Sequence, residues 1–503
     1  MSDTVTRPDT PAEADEDKRR KARVDALLAR PPAVAVGEFR PQAGDPMPYE
    51  SRAVFLPVHA AGMDAACSDA QAAVLCTSYV LRGAAAADRG LCFAFNGGPG
   101  SASIWLHLGV LGPKRVAVPD DGSMPVPPYE VVDNPQAWFE HFDLVFIDPP
   151  QTGWSVASSA AARKTLLSVD GDVQAMVDVI RQWLTRHGRW GSRLFLAGES
   201  YGTTRAAAMA DKLADAGVAL AGVVLVSCAM DLQALEFVPG NDLPYALFLP
   251  ALANVAQFHG LLTGPHAADA QAARQAARAF VEDDYLTALH LGHRLDGRRR
   301  ARVARRLSEL TGLPRALVEA CNLRISDQTF FFEALRERGQ MVGRLDARVT
   351  GAMAARRTRD WEFDPGIEAI AAPYTMAAMN YFRDVLGLDL DARYEVLSGD
   401  AHKAWNWNRG EGQGNGFACT RPDLARAMRR NPHLGLFVAS GHYDLGTPYS
   451  ASDWSLAQLD VPAALQARVV HRYYDAGHMM YTRSADLRQL KRDLGSWLSG
   501  LPS

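Results

Sequence analysis

The segment Gly198-Glu199-Ser200-Tyr201-Gly202 brings together residue types that could do acyl-transfer chemistry. It follows the apolar run Leu194-Phe195-Leu196-Ala197 and precedes the alanine-rich run Thr203 to Ala210. A strand, then Gly-x-Ser-x-Gly, then a helix is the setting of a serine on a sharp turn that only small flanking residues permit. Such a serine needs a base, and the base needs an acid to orient it. The C-terminal third supplies both. Leu434 to Ala439 reads as a buried strand running into Ser440-Gly441-His442-Tyr443-Asp444, which leaves Asp444 on the turn beyond it. Arg468 to Tyr474 reads as another strand, with His478 just past its end. The expected constellation is Ser200, Asp444 and His478, in the chain order Ser, acid, His. His442 precedes the acid in the same loop, His402 lies in a loop and His471 within a strand, so these are the weaker bases. Asp475 is the rival acid, but it shares its strand with the histidine.

A second apolar strand, Leu91 to Phe95, ends in Asn96-Gly97-Gly98-Pro99-Gly100-Ser101. Attack on a carbonyl develops an oxyanion that calls for two N–H donors. Tyr201, the residue after the serine, offers one. Gly98 is the natural second, because Pro99 has no N–H and a glycine allows close approach.

Strand and helix patterns alternate at both ends of the chain, which predicts a mostly parallel central sheet with helices on both faces. The middle, Leu232 to Trp361, reads as helical with few strand signals. The expected division is a disordered tail at 1–30, a first core segment at 31–231, a helical cap at 232–361 and a second core segment at 362–503. Within the cap, His293 to Arg306 contains seven arginines. A solvated helical face is the favoured explanation, with a basic rim attracting acidic substrates as the alternative.

These blocks do not stand alone. Phe142-Asp143-Leu144-Val145-Phe146-Ile147-Asp148-Pro149, Thr152-Gly153-Trp154-Ser155 and Gly477-His478-Met479 join them in one order. From about residue 75 to the C-terminus the chain resembles the serine carboxypeptidase family of α/β-hydrolases. Gly240-Asn241-Asp242-Leu243-Pro244-Tyr245 looks most like its bacterial branch. The resemblance implies an α/β-hydrolase fold with a helical cap insertion. It also implies removal of a C-terminal residue from a peptide through a Ser200 acyl-enzyme, without metal or organic cofactor. An acyltransferase or esterase using the same three residues is the alternative. A non-catalytic binding protein on this scaffold is the competing class, and the intact serine, acid, base and glycine loop argue against it. By the same resemblance Asn96, Gly97 and Glu199 hold the substrate's C-terminal carboxylate, with Met479 beside them. Glu199 must then be protonated, since two carboxylates repel. Relatives share that work with a second Glu two residues before a Gly-Pro; counted back from Gly112-Pro113, the position is Val110 here. Ser101 stands where many relatives carry a disulfide cysteine, and Gln151 where glycine is usual. A weakened preference for a free carboxylate follows.

Composition fits a soluble enzyme acting on a peptide or a small acyl substrate. Apolar residues at 48% and charged residues at 22% of 503 are ordinary globular values. A formal net charge of −4 leaves no footprint for nucleic acid. Ala216 to Met230, bounded by Asp215 and Asp231, is too short for a membrane span, and a buried strand is expected from about Gly222. Met1 to Lys21 is polar and charged with no apolar stretch, unlike a secretory signal. Six cysteines, at 67, 76, 92, 228, 321 and 419, show no C-x-x-C spacing, which suits reduced thiols in a cytoplasm. Nothing in the pattern indicates an oligomeric state.

Overall fold

Runs of apolar residues too short for buried helices become strands of one sheet in the computed structural model, which describes residues 11–60, 68–355, 358–410 and 416–502. The strands are β1 (Ala33–Phe39), β2 (Met47–Val58), β3 (Ala72–Leu81), β4 (Gly90–Phe95), β5 (Phe142–Ile147), β6 (Leu194–Glu199), β7 (Gly222–Val226), β8 (Gly435–Gly441) and β9 (Val469–Tyr474). Across the sheet the order is β1-β2-β3-β5-β4-β6-β7-β8-β9, with the short strand Val156–Ala157 added to β3. From β1 to β5 the neighbours pair antiparallel, and from β5 to β9 they run parallel. β5 to β8 are buried along their whole length, as expected of parallel strands covered on both faces. One face packs under helices Val169–His187, Tyr201–Asp215 and Arg421–Arg430. The other packs under Pro365–Asp384 and Ser484–Ser499. This is the α/β-hydrolase architecture.

The register decides what the sheet can present. Phe95 lies opposite Gly198, Val226 opposite both Glu199 and Ala439, and Gly441 opposite Tyr474. The carboxyl ends of β4, β6, β8 and β9 therefore come level at one edge, where ligands of open α/β sheets bind. Each of these ends runs into a loop that carries a residue singled out by the sequence.

Helices between Leu243 and Glu333 bury an apolar cluster of their own, which reaches Tyr443, Leu445 and Tyr449 around Asp444. The same middle region holds an antiparallel hairpin, Gln340–Val342 with Thr350–Ala352, which its helical pattern gave no hint of. In helix Gly297–Thr311, Arg299 and Arg302 pair with Asp284, and Arg305 and Arg306 with Glu309. The arginine-rich stretch is a largely solvated face on which two carboxylates serve four of the seven arginines.

The expected disordered tail needs correction. Residues 11–28 form a helix, Pro11–Leu28. Charged pairs one turn apart, Asp15–Arg19, Glu16–Arg20 and Asp25–Lys21, support it, and Val24 and Leu27 are buried in the main core. A polar composition concealed a helix held by two apolar side chains. Residues 1–10 lie outside the described part. Cys76, Cys92, Cys228, Cys321 and Cys419 are free thiols, the first three buried; Cys67 lies outside the described residues. Among the described residues no helix is long and apolar enough to cross a membrane.

Candidate functional site

Ser200 joins β6 to helix Tyr201–Asp215 with φ 59° and ψ −130°. A side-chain-bearing residue at positive φ costs on the order of 1–3 kcal/mol and needs a surrounding that enforces it. Here the enforcement is steric and hydrogen-bonded. A Cβ on Gly198 would come within 2.1 Å of the Gly202 carbonyl oxygen, and one on Gly202 within 2.8 Å of that of Phe95. The Ser200 N–H donates to Val226 O at 2.9 Å, and Thr203 N–H donates to Ser200 O at 2.8 Å. Both glycines of the motif are required by contact.

His478 and Asp444 meet beyond β9 and β8. His478 Nδ1 lies 2.7 Å from Asp444 Oδ2, and both side chains are buried. Asp444 also accepts from the N–H groups of Gly446 (2.7 Å) and Thr447 (3.0 Å) on Oδ1 and from the Thr447 hydroxyl (2.7 Å) on Oδ2. Burial works against its charge, yet the facing His478 and the Thr447 donors hold its carboxyl below the ordinary value. Burial likewise opposes charge on His478, but Asp444 raises it above the ordinary histidine range. The His478 N–H donates to Leu345 O at 2.6 Å, and its carbonyl accepts from the Ser227 hydroxyl at 2.6 Å, which fixes the backbone on both sides. With Nδ1 engaged, Nε2 is the nitrogen that remains for proton transfer.

The Asn96–Ser101 loop packs directly on the turn. A Cβ on Gly97 would lie 2.4 Å from the Tyr201 nitrogen. Among the described residues, neither Gly98 nor Tyr201 donates its N–H to another backbone carbonyl, and Tyr201 opens a helix, where the first N–H groups have no partner within the helix. Asn96 holds the loop by accepting Leu106 N–H (3.0 Å) on its side-chain oxygen, while its Nδ2 donates to Glu199 Oε1 at 2.8 Å. The other oxygen of Glu199 accepts the Tyr481 hydroxyl at 2.7 Å. Burial pushes the Glu199 carboxyl up to about 7, with the His478 charge and the Tyr481 bond pulling against it. The sequence did not single out Tyr481. Its position three residues beyond His478, in the same loop, was the available signal. Val110 is packed in the apolar core, and Tyr481 is the hydroxyl that serves Glu199.

Beneath the turn, Arg205 is fully buried. It donates to Asp172 Oδ2 and to the Asn96 carbonyl, both at 2.6 Å, and its guanidinium lies against the rings of Phe95 and Tyr201. It ties the glycine loop to the helix behind Ser200. Arg205→Met strands the Asp172 carboxylate and the Asn96 carbonyl in the interior, so a loss of about 3–5 kcal/mol is expected in denaturant titrations. Adding Asp172→Leu should return much of that loss. An Arg205→Met protein as stable as the parent would mean the pair contributes nothing.

Ser200 and His478 line one cavity of about 380 Å³ with Asn96, Gly97, Gly98, Glu199 and Met479. All the candidate residues except Tyr201 and Asp444 thus border it, and those two stand directly behind Gly97 and His478. Of the rival histidines only His402 reaches it. His442 pairs with Asp475 at 3.1 Å, away from the cavity. His471 completes a second Ser-His-Asp trio, 2.9 Å from Ser440 Oγ and 3.1 Å from Asp453, but Ser440 is wholly buried within β8. At Gln151, where the resemblance placed glycine, φ is 68°, so the left-handed backbone persists without it.

Residues 84–230 match the family model described as serine carboxypeptidase. Over that segment the chain is similar to serine carboxypeptidases. Among solved structures, the chain is similar to a prohormone-processing carboxypeptidase from Saccharomyces cerevisiae. The two are 14% identical with a TM-score of 0.55, over 90% of this chain and 91% of that one. At that identity the likeness carries the fold. A proline iminopeptidase from Mycobacterium smegmatis overlays with a TM-score of 0.34 at 11% identity, over 92% of this chain and 98% of that chain. No curated protein matches this chain in sequence.

Proposed function

We propose that this protein is a serine-type hydrolase that releases the C-terminal residue of a peptide through a Ser200 acyl-enzyme. One observation carries this proposal: a serine on an enforced strand-to-helix turn shares a cavity with a histidine whose Nδ1 is held by a buried aspartate. Ser200 Oγ attacks the scissile carbonyl carbon and passes its proton to His478 Nε2. Asp444 stabilises the imidazolium, and the N–H groups of Gly98 and Tyr201 receive the oxyanion. His478 then protonates the departing amine. Water, deprotonated by the same histidine, attacks the ester and frees the acid and Ser200. The chemistry assigned to these residues calls for no metal or organic cofactor. A fluorophosphonate that adds one equivalent to Ser200 in the folded protein, with hydrolysis of blocked peptides read by mass spectrometry, tests it; absence of both would refute it.

The carboxylate of the leaving residue is assigned to Asn96, Gly97 and protonated Glu199. A carboxyl poised near 7 is neutral below that pH and charged above it. Affinity for free-acid peptides should therefore fall as pH rises through about 7, while KM for amidated or ester substrates changes much less. Tyr481→Phe removes a bond that favours the ionised form, so the fall should move to higher pH; Glu199→Gln should flatten it. Identical KM profiles for free-acid and amidated peptides would sink the assignment. The valine at 110 in place of a second carboxyl favours a broader activity on esters, or transfer to an amine or alcohol. Partition of the acyl-enzyme to an added nucleophile, well above its concentration ratio to water, would identify transfer.

A further inference from the structure

Two cations border the cavity, and among the described residues no carboxylate stands within ion-pair distance of either. Arg344 and Lys403 both line it. Among the described residues, neither makes an ion pair or a side-chain hydrogen bond. The other arginines near the sheet edge behave differently: Arg348 is bound to Asp346, and Arg409 to Asp170 and Asp423. Arg344 precedes Leu345, whose carbonyl holds the His478 N–H, and its guanidinium carbon stands 3.5 Å from where a Cβ on Gly446 would lie. It approaches from the turn between Val342 and Thr350, beside the loop that carries Asp444. Lys403 ends the short helix Gly399–Lys403, which presses on the glycine loop: a Cβ on Gly100 would meet Ser398 O at 2.7 Å and the Ala401 side chain at 3.2 Å.

The acids bordering the cavity are otherwise engaged. Glu199 is held by Asn96 and Tyr481. Asp364 accepts three backbone N–H groups, from Arg344 (2.8 Å), Leu345 (3.1 Å) and Gly366 (3.0 Å). Asp364 also feels the Arg344 charge, as do Glu236 and Asp327, which do not border the cavity. Trp105, Leu345, Trp361, Ile367, Leu397 and Met479 supply apolar wall. An anion entering such a cavity meets two exposed cations that have no ion-pair partner among the described residues.

Resting on the proposed acyl transfer at Ser200, we propose that Arg344 and Lys403 recognise a carboxylate side chain on a residue flanking the scissile bond, so that the preferred substrates are acidic peptides. The α-carboxylate goes to Asn96, Gly97 and Glu199; the side-chain carboxylate goes to the two cations. The acidic residue could stand on either side of the bond, and the substrates below separate the two.

The test uses blocked peptides carrying Glu, Gln or Lys at the acyl position, and separately at the leaving position, each with free and amidated C-termini. In the parent protein Glu should exceed Gln in kcat/KM by about tenfold at one of the two positions, which is the upper end of what two exposed charge contacts deliver. Lys should be poorest there. Arg344→Ala and Lys403→Ala should each shrink the Glu/Gln ratio, and the double variant should bring it near one. Because the ratio is taken within each variant, a general loss of activity does not mimic the effect. A Glu/Gln ratio of one or less at both positions in the parent overturns the proposal, as does a ratio that survives in the double variant. If charge preference follows the free or amidated terminus alone, the cations bind the α-carboxylate and the proposal is equally overturned. Failure of acyl transfer itself looks different: no peptide is cleaved and Ser200 takes up no fluorophosphonate.

Discussion

Ser200→Ala is expected to lower turnover by a factor on the order of 10⁶, and His478→Ala by about as much, with the double variant little worse than either. The non-additivity is the informative part. Without the Ser200 hydroxyl, His478 has no proton to take and the covalent path closes. Without His478, the hydroxyl keeps its proton and is a poor nucleophile at neutral pH. Each change removes the same path, so the second removes little more. What survives is whatever the Gly98 and Tyr201 amides and the cavity contribute by binding. Ser200 holds its φ of 59° through contacts of Gly198 and Gly202, which the Ala variant keeps, so the fold should be unaffected. Steady-state kinetics beside far-ultraviolet circular dichroism would check both halves. Losses that multiply in the double variant would mean the two residues act independently, and the shared mechanism would be wrong.

The parts of this structure written in local pattern were legible, and the parts written in long-range packing were not. β6 and β8 begin within a residue of where the apolar runs suggest, because parallel strands buried on both faces leave uninterrupted hydrophobic stretches. The Ser200 turn could be seen because its glycines answer a steric demand inside one pentapeptide. Helix Pro11–Leu28 was missed for the opposite reason: its burial depends on Val24 and Leu27, too few to mark a stripe. Tyr481 meets Glu199 across 282 residues, and Arg205 meets the Asn96 carbonyl across 109, so no spacing rule could announce either. The resemblance led to the expectation of a second carboxyl at the position of Val110, and gave no pointer to Tyr481, which bonds Glu199. That follows from the cavity's construction. A hydroxyl from another element can take up a lone pair of Glu199 without any change near Gly112-Pro113.

Asp444→Asn should cost a factor on the order of 10⁴ in kcat, although the two side chains have almost the same shape. The surroundings of Asp444 dictate why. Oδ1 accepts two backbone N–H groups, from Gly446 and Thr447, so the amide oxygen of an asparagine must take that place. The amide nitrogen is then forced into the position of Oδ2, facing the Thr447 hydroxyl and His478 Nδ1. An NH₂ group donates, so His478 must present a lone pair at Nδ1 and carry its proton on Nε2. That tautomer cannot accept the Ser200 proton. The Thr447 hydroxyl can rotate to accept, and the loop should keep its fold. Removing the negative charge also withdraws what raises His478 above its ordinary range, so the acid limb of kcat/KM should move to lower pH while the plateau falls. A pH-rate profile reads both effects at once. Asp475 offers the contrast. It is exposed and engages His442 at 3.1 Å, and Asp475→Asn should leave the plateau close to that of the parent. A nearly active Asp444→Asn beside an inactive Asp475→Asn would transfer the acid's role across the loop. It would also break the link between the buried carboxylate and the tautomer that Ser200 requires.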